Sequence, residues 1–247
     1  MTTIDTSTTQ LRPALALMNC VLGEIGMPLT NSVQATDQTT VQMLYLLNAL
    51  GENLSRLPLW PDLRKEYTIL TIGGQLGYDL PPDWGTPVNG TSWDRSSSWP
   101  LLGPKTPTEW QILKSGFAAA APQLRWRLFN RQFNVHPDPG PNQTLIQEYL
   151  SSNWVLGGST TILSTGKPRI THDNDYILLD ERMFIEGGKL AFLEAKGLDS
   201  SKAYRSFIDM LEAAWGNSNA APVLDFVGCH ANQFLGYDNV PETGYGT

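Results

Sequence analysis

The hydrophobic positions of this chain change period along its length. Beyond Leu11, the residues Leu15, Met18, Val21, Leu22 and Ile25 recur at three- and four-residue spacing, one face of a helix. Pro13 suits its first turn, and Gly26 and Pro28 end it. A stripe of Val41, Leu44, Tyr45, Leu47, Leu50, Leu54 and Leu57 predicts a second helix over about 36–57, with Asp37 complementing the helix dipole and Pro58 and Pro61 closing it. At Arg64 the texture turns to β-formers, Tyr67, Ile69, Thr71 and Ile72. Gly73-Gly74, Gly77, Pro81-Pro82, Gly85, Pro87 and Gly90 then punctuate short extended pieces, into which Trp84, Trp93 and Trp99 bring apolar area. Thr106-Pro107-Thr108-Glu109 predicts a capping box opening a short helix to about Gly116, with Trp110 and Leu113 inward. Alternation of Leu124, Trp126 and Leu128 with Arg125 and Arg127 predicts a strand over 124–130 with one wet face, followed by strands over 132–136 and 144–150 and an extended segment over 154–162.

From Tyr176 the period is helical again. Asp180 can cap a helix carrying Met183, Phe184, Leu190, Phe192 and Leu193, closed by Gly197. Gly187-Gly188 sits inside it, and each Gly costs about 1 kcal/mol against Ala, so the pair predicts the close approach of a neighbouring helix. Asp199 or Ser200 opens the last helix, where Tyr204, Phe207, Ile208, Leu211 and Trp215 form the cleanest amphipathic pattern of the chain.

The fold class expected is α+β. The N- and C-terminal helices form a helical bundle, because their stripes can be buried only against one another; an antiparallel β-rich domain is inserted, and an extended C-terminal arm follows. The divisions are 1–10, a flexible N-terminal arm; 11–62, the first half of the bundle; 63–175, the inserted domain; 176–216, the second half; and 217–247, the arm. The arm is rich in Gly, Asn and Pro, yet more aromatic than a linker. This combination fits a segment that becomes ordered on a partner, with Phe226, Phe234, Tyr237 and Tyr245 as the candidate interface residues. No internal repeat is visible.

Composition narrows the class. Only 17% of the 247 residues are charged, below the usual quarter, while 8 Trp, 8 Tyr and 8 Phe argue for a folded chain whose surface is partly covered by other subunits. The net charge of −7 argues against a sequence-independent DNA binder, though not against a wall past which DNA slides. Cys20 and Cys229 are expected as reduced thiols. No stretch approaches the roughly 18 apolar residues of a membrane helix. Asp5 and the lack of a basic lead-in speak against a signal peptide, so the sequons at Asn89 and Asn142 read as chance.

Chemical motifs are sparse. Gly166-Lys167 is followed by Pro168 and makes no Walker loop; Gly73-Gly74-Gln75-Leu76-Gly77 lies between β-like pieces and opens no helix. HExxH, CxxC and GxSxG are missing. His172-Asp173-Asn174-Asp175 has the carboxylates of a hard-cation loop, but reads more simply as a solvated turn before a helix. Arg125, Arg127 and Arg131, on or beside aromatic strands, form an interface patch. It is open to three readings: a nucleic-acid face, the wet side of a sheet, or the partner of an acidic neighbouring subunit. Nothing selects a pair of carboxylates for glycoside cleavage. The sequence assigns no catalytic residue, no cofactor and no metal.

Several strings, in shared order, resemble a known family. LPPDWGTPVNGTSWDRSSSWPLLGPKTPTEWQILK (80–114), LSSNWVL (150–156) and LLDERMFIEGGKLAFLEAKGLD (178–199) resemble blocks of tailed-phage head-to-tail adaptor (connector) proteins. LALMNCVLGEIGMPLTNSV looks like the first helix and turn of the tail tubular protein A group, related to packaged-DNA stabilisation proteins. The resemblance covers about 12–216. It implies a helical bundle bearing a β-rich domain, assembled as a ring, usually twelve-fold, beneath the portal protein. Such a ring extends the channel through which genomic DNA passes without sequence-specific binding, and docks the tail nozzle or tail fibre proteins. It further implies a virion location at the head-tail interface and no membrane partner. Some relatives are credited with peptidoglycan hydrolysis, but no matched catalytic residue is present. The rival expectations are a hydrolase acting during genome delivery and a receptor-binding or tail-terminator module.

Overall fold

A computed structural model describes residues 11–115, 123–158 and 166–218. The chain is mixed α and β with antiparallel sheets. Five α-helices occur among these residues, α1 (Ala14–Glu24), α2 (Gln38–Leu54), α3 (Pro107–Lys114), α4 (Glu181–Ala195) and α5 (Ser201–Ser218), with one 3-10 turn at Pro61–Leu63.

Local chemistry explains the helix ends. Asp37 caps α2 by accepting from the Thr40 amide, and Asp180 caps α4 from the Met183 amide. At α3 the expected capping box forms: Thr106 accepts from the Glu109 amide at 3.3 Å, and its own amide donates to the Glu109 carboxylate at 2.9 Å. Trp110 and Leu113 are buried, as the pattern predicts. Gly197, at φ +67°, lies just beyond α4.

The first core is built around α4, which packs against α1, α2 and α5. The glycine pair explains the closeness. A Cβ on Gly187 would lie 2.8 Å from Leu50 and 3.0 Å from Phe207; one on Gly188 would lie 2.8 Å from Leu47 and 3.2 Å from Val21. Ion pairs frame the α1–α4 contact. Arg12 meets Glu181 at 2.6 Å, and Glu24 meets Arg182 at 2.7 Å and Lys189 at 2.8 Å. Buried Glu186 pairs with Arg182 and Lys189 beside them.

Two stripes differ from the sequence expectation. In α2 the buried line is Thr40, Met43, Leu47, Gly51 and Leu54, whereas Val41 and Tyr45 are exposed, because the helix turns Gly51 onto the indole of Trp154. In α5 Phe207, Met210, Leu211 and Ala214 reach the core, but Tyr204 is 53% and Trp215 48% exposed. Among the described helices α4 packs closely along α5, and the core side of α5 is the flank that carries Phe207, Met210, Leu211 and Ala214.

The strands are β1 (Arg64–Leu70), β2 (Gly77–Asp79), β3 (Trp84–Pro87), β4 (Trp93–Asp94), β5 (Trp99–Pro100), β6 (Arg125–Phe129), β7 (Gln132–His136), β8 (Thr144–Ser151), β9 (Val155–Leu156), β10 (Gly166–Lys167) and β11 (Tyr176–Ile177). β8 is the spine of a sheet ordered β1-β8-β4-β5, with β3 also on β8. Arg64 faces Leu150 and Leu70 faces Thr144 across the β1–β8 ladder. A second sheet is ordered β2-β7-β6, and a third, small one β10-β9-β11. Ile69, Tyr78, Leu101, Trp126, Phe133, Val135 and Leu145 form the second core, between the two larger sheets. Leu150, Trp154, Val155 and Ile170 belong instead to the helical core, so the stretch 63–175 contributes to both. The extended segment expected over 154–162 is a strand only at β9, and 159–165 lie outside the described residues. No described helix is long and apolar enough to cross a membrane.

Candidate interaction surface on the second sheet

The β6–β7 hairpin gathers the three arginines singled out in the sequence. Its two-residue turn is Asn130-Arg131, both at positive φ (52° and 57°), the geometry that matches the twist of paired strands. Strand alternation sends Trp126 and Phe133 inward, stacked at 5.0 Å, and Arg125 and Arg127 outward. Across the outer face Arg125 pairs with His136, Arg127 with Asn134 and Phe129 with Gln132, and on the other side of β7 Asn134 pairs with Gly77 and Gln132 with Asp79. The Arg127 guanidinium lies over the Phe129 ring at 5.0 Å. Gln132 donates to Asp79 at 2.9 Å, and Asn134 donates to the Phe129 and Gln132 carbonyls. The amides are thus satisfied internally. Arg125, Arg127 and Arg131 make no ion pair with any described residue.

Arg131 also stands at the rim of a cleft of about 540 Å³, lined by Leu80, Pro81, Pro82, Trp84 and Leu128. The Leu80 amide donates to the Arg131 carbonyl at 3.5 Å and holds the two rims together. Trp84 is braced from behind. Its ring stacks on Tyr149 at 4.6 Å and meets Tyr67 edge-on at 5.9 Å. Beneath them Asp83, nearly buried, accepts from Lys65 at 2.6 Å, Ser151 at 2.8 Å and the Tyr149 hydroxyl at 3.0 Å. Burial alone would raise the Asp83 carboxyl, but Lys65 and the two hydroxyls outweigh it and hold the group below the ordinary value. Burial, then the Asp83 carboxylate, push the Tyr149 phenol upward. Nothing in the sequence marked this clamp, since its members lie far apart in the chain.

The other sequence candidates resolve as follows. Asp173 accepts from Ser32 at 3.0 Å and the Val33 amide at 2.6 Å; Asp175 accepts from the Thr171 and His172 amides and pairs with Lys167 at 2.8 Å. Asp175 thus closes the turn, and Asp173 ties it to the loop after α1. Desolvation would raise Asp175, but Lys167 and the amides hold it low. No group of three or more His, Cys, Asp or Glu among the described residues could hold a metal ion. The Gly74 amide donates to Asp138, so the glycine cluster is tied to the facing loop. The four buried acids among the described residues, Asp83, Asp94, Asp175 and Glu186, all have partners within the chain. Cys20 is half-buried, its sulfur accepting from Arg12 at 3.6 Å. Cys229 and the arm residues Phe226, Phe234, Tyr237 and Tyr245 lie outside the described residues. No protein-family model matches the chain, and no curated protein matches it.

Proposed function

We propose that this chain is a non-enzymatic structural protein of a virion, a head-to-tail adaptor. Copies stand side by side as a ring, twelve-fold by resemblance, beneath the portal protein, extend the DNA channel and dock the tail nozzle or fibres. The observation that carries this reading is the ordered set of adaptor-like strings over 12–216.

The fold lends support. Helices from both ends of the described chain share one core around α4, and the sheets lie between them in sequence, the pattern of a bundle with an insertion. The charge is also suitable. Twelve chains would carry about −84, which repels the DNA backbone from the wall. Among the described residues, buried Asp83 and Asp175 are held low by structural partners, the opposite of the raised carboxyl that a hydrolase's general acid needs. The arm 217–247 is assigned to contacts with a partner chain.

The test is direct. Purified chain is mixed with portal rings and viewed by negative stain; an added collar is expected, and bare portals would overturn the proposal. Zymography on peptidoglycan separates the hydrolase reading: clearing that disappears with a single Asp or Glu substitution would favour it. Binding to host cells with none to portal rings would favour a receptor-binding module.

A further inference from the structure

We propose that the cleft formed by Pro81, Pro82, Trp84, Leu128 and Arg131 receives the C-terminal stretch 219–247 of a neighbouring copy of the same chain. The inference rests on the ring reading for the nearness of that copy. It adds the docking site and its chemistry.

Charge is the first argument. In a chain of net charge −7, Arg131 at the rim of this cleft has no ion-pair partner among the described residues. The stretch 219–247 contains Asp225, Asp238 and Glu242 and no Lys or Arg. Shape and chemistry are the second. The cleft offers two prolines, two leucines and a braced indole beside one guanidinium. It therefore asks for an aromatic side chain with a carboxylate next to it, the guanidinium taking the carboxylate through paired N–H donors. That pairing occurs twice in the stretch, as Asp225-Phe226 and Tyr237-Asp238. Bracing of Trp84 by Tyr149 and Asp83 keeps the cleft formed before its occupant arrives, which lowers the entropy lost on docking. Reach is the third. Tyr237-Asp238 stands twenty residues beyond Ser218, about 65 Å of extended chain, more than the width of about 45 Å for a compact chain of this length, so a neighbour in side contact is within its range; Asp225-Phe226 reaches about 25 Å and serves only a cleft close to the end of α5.

The experiment uses the full chain without portal, so its outcome is independent of collar formation. Phe226, and separately Tyr237, is replaced by photoreactive benzoylphenylalanine; light- and heavy-isotope populations are mixed and illuminated. Cross-linked peptides of mixed isotope, joining either site to the segments around Trp84 or Arg131, are expected. Arg131→Glu should lower their yield at least tenfold with an unchanged circular dichroism spectrum. Asp225→Asn with Asp238→Asn, which removes the charge from the other side, should lower it comparably. Cross-links confined to one isotope would place the stretch on its own chain and overturn the proposal. Yields insensitive to both sets of substitutions would overturn it too, as would displacement of the stretch by an equal concentration of short duplex DNA.

Discussion

Gly51→Ala tests the packing of the helical core most sharply. In an exposed helix this change stabilises by about 1 kcal/mol, because Ala loses less backbone freedom on folding. In α2 the new methyl would land on three carbons of the Trp154 indole. That ring is fully buried and leans on Phe184 at 5.8 Å, so it has little room to yield. Overpacking a close-packed core costs about 1–3 kcal/mol, and expulsion of the indole would set a ceiling of about 3–5 kcal/mol. With a rigid ring as the obstacle, strain at the upper end of the first range, less the helix gain, leaves a net loss of about 2 kcal/mol. Urea unfolding followed by circular dichroism would show a lower midpoint with an unchanged slope. Gly216→Ala in α5 is the control, since a Cβ there meets nothing within 4 Å; it should be neutral or gain up to about 1 kcal/mol. Combining Gly51→Ala with Trp154→Phe should restore part of the loss, giving a coupling of about 0.5–3 kcal/mol in the double-mutant cycle. A Gly51→Ala protein as stable as wild type, or additivity in the cycle, would refute the close approach.

Further outcomes follow from particular contacts. Thr106→Ala removes one half of the α3 capping box and should lower stability by about 1 kcal/mol in the same urea assay. Asp175 is held low in the folded state, so its stabilising effect is present above its unfolded pKa and is lost as pH falls through the lower folded one. Asp175→Asn should therefore be markedly less stable than wild type at neutral pH, and the gap should narrow on acidification in parallel melts. Removal of 217–247 should leave the circular dichroism of the fold intact while weakening attachment to portal rings; full attachment would remove the arm from assembly.

Much of the local structure was legible in the residues themselves. Thr106, Asp37 and Asp180 announce helix starts because a cap needs only a side-chain oxygen a few residues from an amide. The hairpin strands follow from alternation, and Gly187-Gly188 foretold a neighbour at close range because two glycines inside a helix are otherwise unfavourable. Arg125, Arg127 and Arg131 were visible as a group because they are close in sequence on one hairpin; that Arg131 stands apart, at the rim of a cleft, was not. What lay beyond reach depended on partners distant in the chain. The roll of α2 was decided by Trp154, roughly a hundred residues away. The Asp83 clamp joins residues 65, 83, 149 and 151, and the cleft at Arg131 exists only where Pro81-Pro82 is folded against it. Periodicity records which side of an element is apolar; only tertiary packing decides how much of that side is covered, and by what.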